Sequence, residues 1–155
     1  MPDTQKQVLF VCSGNTSRSA MAAACFTAIC AQRGLRGVSA ESAGLNSPEG
    51  APIAPEAVAA LAEQQILPAR LGSRRLTPKM VLSADLIVAM TSQHRDRIVE
   101  WFPRVRLRTV TLMAFAESDD QQVPDPAGGG LEAYRACLEH MRPALATIAD
   151  ELAEG

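Results

Sequence analysis

Short apolar runs alternate along this chain with longer stretches of good helix formers, and that alternation limits the fold more than any other feature. Val8-Leu9-Phe10-Val11 is a continuous apolar run, as expected of a strand covered on both faces. Gly14 and Asn15 break it, and Ser17 to about Gln32, rich in Ala and Met, reads as a helix stopped by Gly34. Val38 to Ala43 is a second short strand pattern, and Asn46 to Pro55, with three prolines and a glycine, is a loop. Glu56 to Gln65 is Ala-rich and helical, ended by Ile66-Leu67-Pro68. Thr77 is placed to cap a short helix that has Pro78 in its first turn. Asp85 to Met90 reads as a third strand and Thr91 to about Trp101 as a helix stopped before Pro103. Val105 to Leu112 reads as a fourth strand and Asp119 to Gly130 as a long irregular loop. Leu131 to Ala153 carries apolar residues at helical spacing, and Pro143 is expected to kink or divide that helix.

Strands that alternate with helices specify an α/β fold with a parallel sheet. The 155 residues suit a single domain spanning 1–155, and a hydrophobic share of 47% is enough for a core without disulfide or metal staples. Ligands of such sheets bind beyond the carboxyl ends of the strands. The loop from Cys12 to Arg18 falls there, directly after the first strand.

Charge and cysteine usage exclude several function classes. The net charge of −2 gives no basic footprint for nucleic acid, and the mixed charges leave no membrane patch. No apolar run approaches a membrane span, and the polar start with its brief apolar run lacks a secretory pattern, so a cytoplasmic protein is expected. The four cysteines (Cys12, Cys25, Cys30, Cys137) and two histidines (His94, His140) show no metal-ligand spacing, so neither a metal nor another cofactor is expected. In a reducing compartment each cysteine is then a small core residue or a reactive thiol. Cys25, Cys30 and Cys137 read as core residues, whereas His94 and His140, among charged helical neighbours, read as solvated or capping.

The segment Cys12-Ser13-Gly14-Asn15-Thr16-Ser17-Arg18-Ser19 joins a strand to a helix N-terminus through a tight polar loop. Such a loop turns successive backbone N–H groups inward, and with the helix dipole they make an anion cradle from Ser13, Gly14, Asn15, Thr16, Ser17 and Arg18. Gly14 and Asn15 tolerate the turn's backbone angles, and Arg18 can grip two phosphate oxygens with its planar fork. The same field favours the Cys12 thiolate, and Ser19 is placed to donate to the sulfur. The loop lacks the lysine and the glycine spacing of a nucleotide-binding loop. A proton donor for the leaving group is found in Val123-Pro124-Asp125-Pro126, where flanking prolines stiffen the backbone around Asp125.

With these two motifs in place, the chain resembles the low-molecular-weight protein tyrosine phosphatase family. Ser42-Ala43-Gly44 and Ala84-Asp85-Leu86 before Met90-Thr91 extend the likeness over nearly the whole length. The resemblance implies a four-stranded parallel sheet flanked by helices, with the phosphate-binding loop between the first strand and the first helix. It also implies a protein phosphatase that acts on phosphorylated protein substrates. Cys12 attacks phosphorus, the amides and Arg18 hold the oxygens, and Asp125 serves as acid and then base, without metal. Asn15 holds the loop shape and Ser19 tunes the sulfur.

The chain also departs from the family pattern. Ser17 stands where many members carry a second cysteine, so no neighbouring thiol protects Cys12 from over-oxidation. Ala20 replaces a usual proline, and Leu71 occupies a position where members often have a histidine, which changes the support expected for Asn15. Ala127-Gly128-Gly129-Gly130 follows the acid where tyrosine-directed members place aromatics. Thr16 matches arginine-directed bacterial members, whose smaller polar wall suits a guanidinium. Together these features tilt the expected substrate from phosphotyrosine toward phosphoarginine. Two other classes compete. Arsenate reduction needs relay cysteines, and Leu71 to Met90 has none. A non-catalytic module that binds phosphorylated partners would have no need of Cys12, Arg18 and Asp125 together. The oligomeric state is not set by the sequence.

Overall fold

A computed structural model of the chain describes residues 5–116, 120 and 122–154. Four strands, β1 (Lys6–Cys12), β2 (Val38–Gly44), β3 (Leu86–Ala89) and β4 (Thr109–Thr111), form one sheet in the order β2-β1-β3-β4, with every pair parallel. The helices are α1 (Arg18–Gln32), α2 (Pro55–Glu63), α3 (Pro78–Ser83), α4 (Ser92–Trp101) and α5 (Gly130–Glu154). The expected α/β architecture is therefore the observed one.

The central position of β1 explains its composition. Val8, Phe10 and Cys12 join the larger core with α1, α2 and α5, while Leu9 and Val11 join a second core with Val81, Ile98 and Val105. A strand buried on both faces needs apolar residues at every position, because the pleat alternates side chains between faces. Phe10 meets Phe26 of α1 with ring centroids 5.6 Å apart at a tilt of 59°, a geometry that aromatic rings favour. Each such buried ring contributes roughly 2–3 kcal/mol by removal from water. Pairing of Cys12 with Gly44 and of Val11 with Ala89 brings the carboxyl ends of three strands to one edge.

Two expectations need correction. Of the fourth strand read over Val105 to Leu112, only Thr109–Thr111 is extended; Pro103–Arg108 is a 3-10 helix and a second one runs over Leu112–Phe115. Pro103 presets a helical turn, and the alternation of Arg104, Arg106 and Arg108 with apolar residues imitates a strand. In the turn Val105 is fully buried while Leu107 is 93% exposed. The terminal helix is not divided at Pro143 but runs unbroken through it. Pro143 and Glu139, whose carbonyl loses its partner, both lie on the exposed side, where solvent can reach the unpaired carbonyl. Thr77 caps α3 as expected, accepting from the Met80 N–H at 3.2 Å. Of the loop read over Asp119 to Gly130, Asp119 and Gln121 lie outside the described residues, and 122–129 carry neither helix nor strand.

The correction at 103–108 has a measurable consequence. Val105→Ala is expected to lower unfolding stability by about 2 kcal/mol, and Leu107→Ser to change it by less than about 0.5 kcal/mol, in urea titrations.

Candidate active site

A cradle for an anion requires peptide carbonyls to point away from it, and neighbouring elements take them one at a time. Leu45 N–H donates to the Cys12 carbonyl (2.9 Å), Asn46 N–H to Ser13 (3.0 Å), Ala54 N–H to Thr16 (3.0 Å) and Met21 N–H to Ser17 (2.9 Å). The N–H groups of Gly14, Thr16 and Ser17 keep no protein acceptor among the described residues. Helix α1 begins at Arg18 with neither a side-chain cap nor an acidic first turn, so its positive end is uncompensated.

Asn15 holds the turn. Its φ is +57°, and a left-handed non-glycine residue costs roughly 1–2 kcal/mol. Its buried side chain offsets that cost twice. Arg74 N–H donates to Asn15 Oδ1 at 2.8 Å, and Asn15 Nδ2 donates to Ser19 Oγ at 2.8 Å, each worth roughly 1 kcal/mol net. With Leu71 in place of a histidine, support for Asn15 thus comes from the Arg74 main chain. Arg74 is itself fixed, since Gly44 N–H and Ser47 Oγ donate to its carbonyl, both at 2.8 Å, and its guanidinium bonds Glu41 at 2.7 Å.

Behind the loop stands Gly44. A Cβ there would lie 2.6 Å from the Ser13 carbonyl oxygen, 2.7 Å from Ser47 Oγ and 3.0 Å from Asn15 N. No larger residue fits without moving the loop.

The Cys12 sulfur is buried at the cradle floor and receives the Asn15 N–H at 3.3 Å. Ser19 Oγ is 2.9 Å away. Because Ser19 Oγ already accepts from Asn15, its own proton is free to point at the sulfur, so two donors face it. The other three cysteines lie outside the loop. Burial pushes the thiols of Cys25 and Cys30 up, and that of Cys137 to about 12, against the opposing pull of Arg142, Arg33 and Arg18 respectively. These three remain protonated core residues, as read from the sequence.

Arg18 and Asp125 come together. Arg18 Nη1 donates to the Val123 carbonyl at 3.1 Å, and Nη2 lies 3.8 Å from Asp125 Oδ2. Val123 N–H in turn donates to the Met90 carbonyl at 2.8 Å, which hangs the acid loop from the end of β3. The Asp125 carboxylate is more than half exposed and accepts the Ala127 N–H at 3.1 Å. Cys12, Arg18, Ser19, Asn15 and Asp125 therefore meet at one sheet edge. Ser17 is buried and its hydroxyl lies 3.3 Å from the Tyr134 hydroxyl. Thr16 is half-buried and Ser13 is exposed.

His94 overturns its sequence reading. It is buried, and its Nε2 is 2.8 Å from Ser13 Oγ, joining residues 81 positions apart. Burial first, and Arg18 second, push its pKa down to about 4, with Asp125 opposing. Its helical neighbours are charged, which masked it, and no local spacing links it to the loop. Gly44, Arg74 and Tyr134 were likewise outside any motif, although Gly44 lies within the family-like Ser42-Ala43-Gly44.

The family model described as low molecular weight phosphotyrosine protein phosphatase matches residues 7–155. A protein-arginine-phosphatase of Geobacillus stearothermophilus is 40% identical over 148 residues, covering 96% of this chain and 94% of the relative. Another, from Bacillus subtilis (strain 168), is 37% identical over 145 residues, covering 94% and 95%. A solved YwlE arginine phosphatase mutant with a phosphorylated active-site serine superposes with a TM-score of 0.88 at 36% identity, covering 94% of this chain and 95% of that one. The fold and loop define a cysteine-dependent phosphoprotein phosphatase. The chain belongs to the low molecular weight phosphotyrosine protein phosphatase family, and within it resembles the bacterial arginine-phosphatase branch.

Gly44→Ala is expected to leave the protein folded by circular dichroism but to lower kcat/KM at least about a hundredfold, because displaced donors cost roughly 3 kcal/mol of transition-state binding. The depressed His94 pKa sets a second expectation. Between about 4 and 6.5 the unfolded chain binds a proton that the folded chain refuses. Stability is thus full above about 6.5 and falls on acidification towards 4, and His94→Gln flattens that part of the curve in urea titrations at stepped pH.

Proposed function

We propose that this chain is a cytoplasmic protein-arginine phosphatase working through a cysteinyl-phosphate intermediate. The observation that carries the reading is the convergence on Arg18. The guanidinium of the residue that ends the loop bonds the Val123 carbonyl and lies 3.8 Å from Asp125. Cys12 thiolate attacks phosphorus as the P–N bond to the guanidino group breaks, and Asp125 gives its proton to the leaving nitrogen. The amides from Ser13 to Arg18 and the Arg18 fork hold the phosphoryl oxygens while charge spreads over them. Water then attacks the phosphocysteine, Asp125 takes its proton, and inorganic phosphate leaves with the thiolate restored. Asn15 keeps the loop shape and Ser19 stabilises the sulfur as nucleophile and as leaving group.

Two features favour phosphoarginine over phosphotyrosine. Thr16 offers a small polar wall, and the stretch after the acid has no aromatic ring. Gly128 (φ +83°) and Gly130 (φ +75°) would strain any side chain, and at Gly129 a Cβ would lie 2.5 Å from Ala133 Cβ. The two arginine-phosphatase relatives point the same way. The protonated thiols of Cys25, Cys30 and Cys137 favour hydrolysis over an arsenate-reducing thiol relay. The four free cysteines suit a reducing cytoplasm, and no described helix is long and apolar enough to cross a membrane.

Phosphoarginine and phosphotyrosine peptides of one sequence, assayed side by side, are expected to differ in kcat/KM by at least about tenfold in favour of phosphoarginine; the reverse order removes the substrate assignment. Cys12→Ser abolishes turnover while still binding phosphate. Asp125→Ala slows phosphotyrosine peptide by about 10²–10⁴ but spares an activated aryl phosphate, whose leaving group needs no proton.

A further inference from the structure

Among the described residues, His94 Nδ1 is the buried side-chain nitrogen with no hydrogen-bond partner. This orphan decides where the ring's proton sits. The depressed pKa keeps the imidazole neutral at physiological pH, so it carries one proton. Placed on Nδ1, that proton would make a buried N–H without an acceptor, which folded proteins tolerate less well than an unused acceptor. Placed on Nε2, it lies against Ser13 Oγ at 2.8 Å. The favoured tautomer therefore donates from Nε2 to Ser13.

That direction frees the serine's own proton. A hydroxyl has one donor and two acceptor sites, and His94 occupies an acceptor. Ser13 Oγ has no other protein partner among the described residues and Ser13 is exposed. It follows Cys12 directly in the loop, and its carbonyl is taken by Asn46 N–H at 3.0 Å. The His94 main chain is held in turn by Thr91, whose Oγ1 accepts the backbone N–H of His94 at 3.1 Å as the N-cap of α4. The ring lies close enough to the chemistry to feel the charges of both Arg18 and Asp125.

We propose that the Ser13 hydroxyl is a further phosphoryl-oxygen donor of the cradle, aimed by a directional hydrogen bond from His94 Nε2, so that Ser13 binds the phosphoryl group and His94 is its positioning residue. The chain His94 Nε2–H to Ser13 O–H to phosphoryl oxygen runs one way, and each bond polarises the next. The proposal rests on the loop receiving a phosphoryl group and is indifferent to which phosphorylated residue supplies it.

The test is a double-mutant cycle on para-nitrophenyl phosphate hydrolysis and on competitive inhibition by inorganic phosphate. Ser13→Ala changes an exposed side chain and is expected to raise both KM and the phosphate inhibition constant about tenfold, the loss of one hydrogen bond to a charged group, with kcat within about twofold. His94→Leu is expected to do the same, and the double variant to be no worse than either single one. His94→Gln retains an N–H near the Nε2 position and should recover most of the affinity, while Ser13→Thr keeps the hydroxyl and should bind nearly as the parent does. Full additivity, an unaltered phosphate inhibition constant in Ser13→Ala, or His94→Gln as weak as His94→Leu would each overturn the proposal. If His94→Leu lowers the melting temperature but leaves the phosphate inhibition constant at the parent value, the positioning role of His94 is overturned as well. A parent enzyme that neither hydrolyses the aryl phosphate nor binds phosphate would instead end the phosphatase assignment, and this proposal with it.

Discussion

The outward tethering of the loop carbonyls is the constraint on which the site depends. A phosphate cradle made of backbone amides does not hold its own shape, so that shape must be imposed from behind. The two residues after strand β2 take the carbonyls of Cys12 and Ser13, α2's lead-in takes Thr16, and α1 takes Ser17. Asn15 fixes the one left-handed residue of the turn through Arg74 and Ser19, and Gly44 supplies the room. Local chain order contributes the donors, while distant chain order contributes their orientation.

The groups proposed as nucleophile, cradle and acid stand out in the amino-acid sequence because the determinants of Cys12 to Ser19 are local. A strand must end and a helix begin within a few residues, and the residue types that manage this are few. Asp125 is legible because prolines on both sides stiffen its backbone. His94 was not, since its burial comes from tertiary packing and its partner lies 81 positions away in the chain. The same limit explains β4. Apolar and charged residues alternate at 103–108 just as they would in a strand, yet Pro103 and the burial of Val105 alone turn this stretch into a helix turn. Pro143 failed as a breaker for a complementary reason: on the exposed face solvent can reach the carbonyl that the ring leaves unpaired.

The sheet also divides labour between its two faces. Val8 and Phe10 bind β1 to α1 and α5, and Leu9 and Val11 bind it to the α3 and α4 side. The α1 dipole and the α5 tyrosine reach the loop from one face, while His94 reaches it from the other. Changes in either layer are therefore felt at the sulfur, although neither layer supplies the reacting groups on its own.

Arg18 grips the Val123 carbonyl, Val123 N–H hangs from Met90 and the Gln122 side chain pairs with Ser92, so the proposed general acid, Asp125, rides on a segment without helix or strand that is held mainly at its start. The nucleophile sits at the end of a strand with a neighbour on each side. The two halves of the reaction thus have unequal mechanical backing. As warmth loosens the molecule, proton delivery by the proposed acid is expected to fade before phosphoryl capture does.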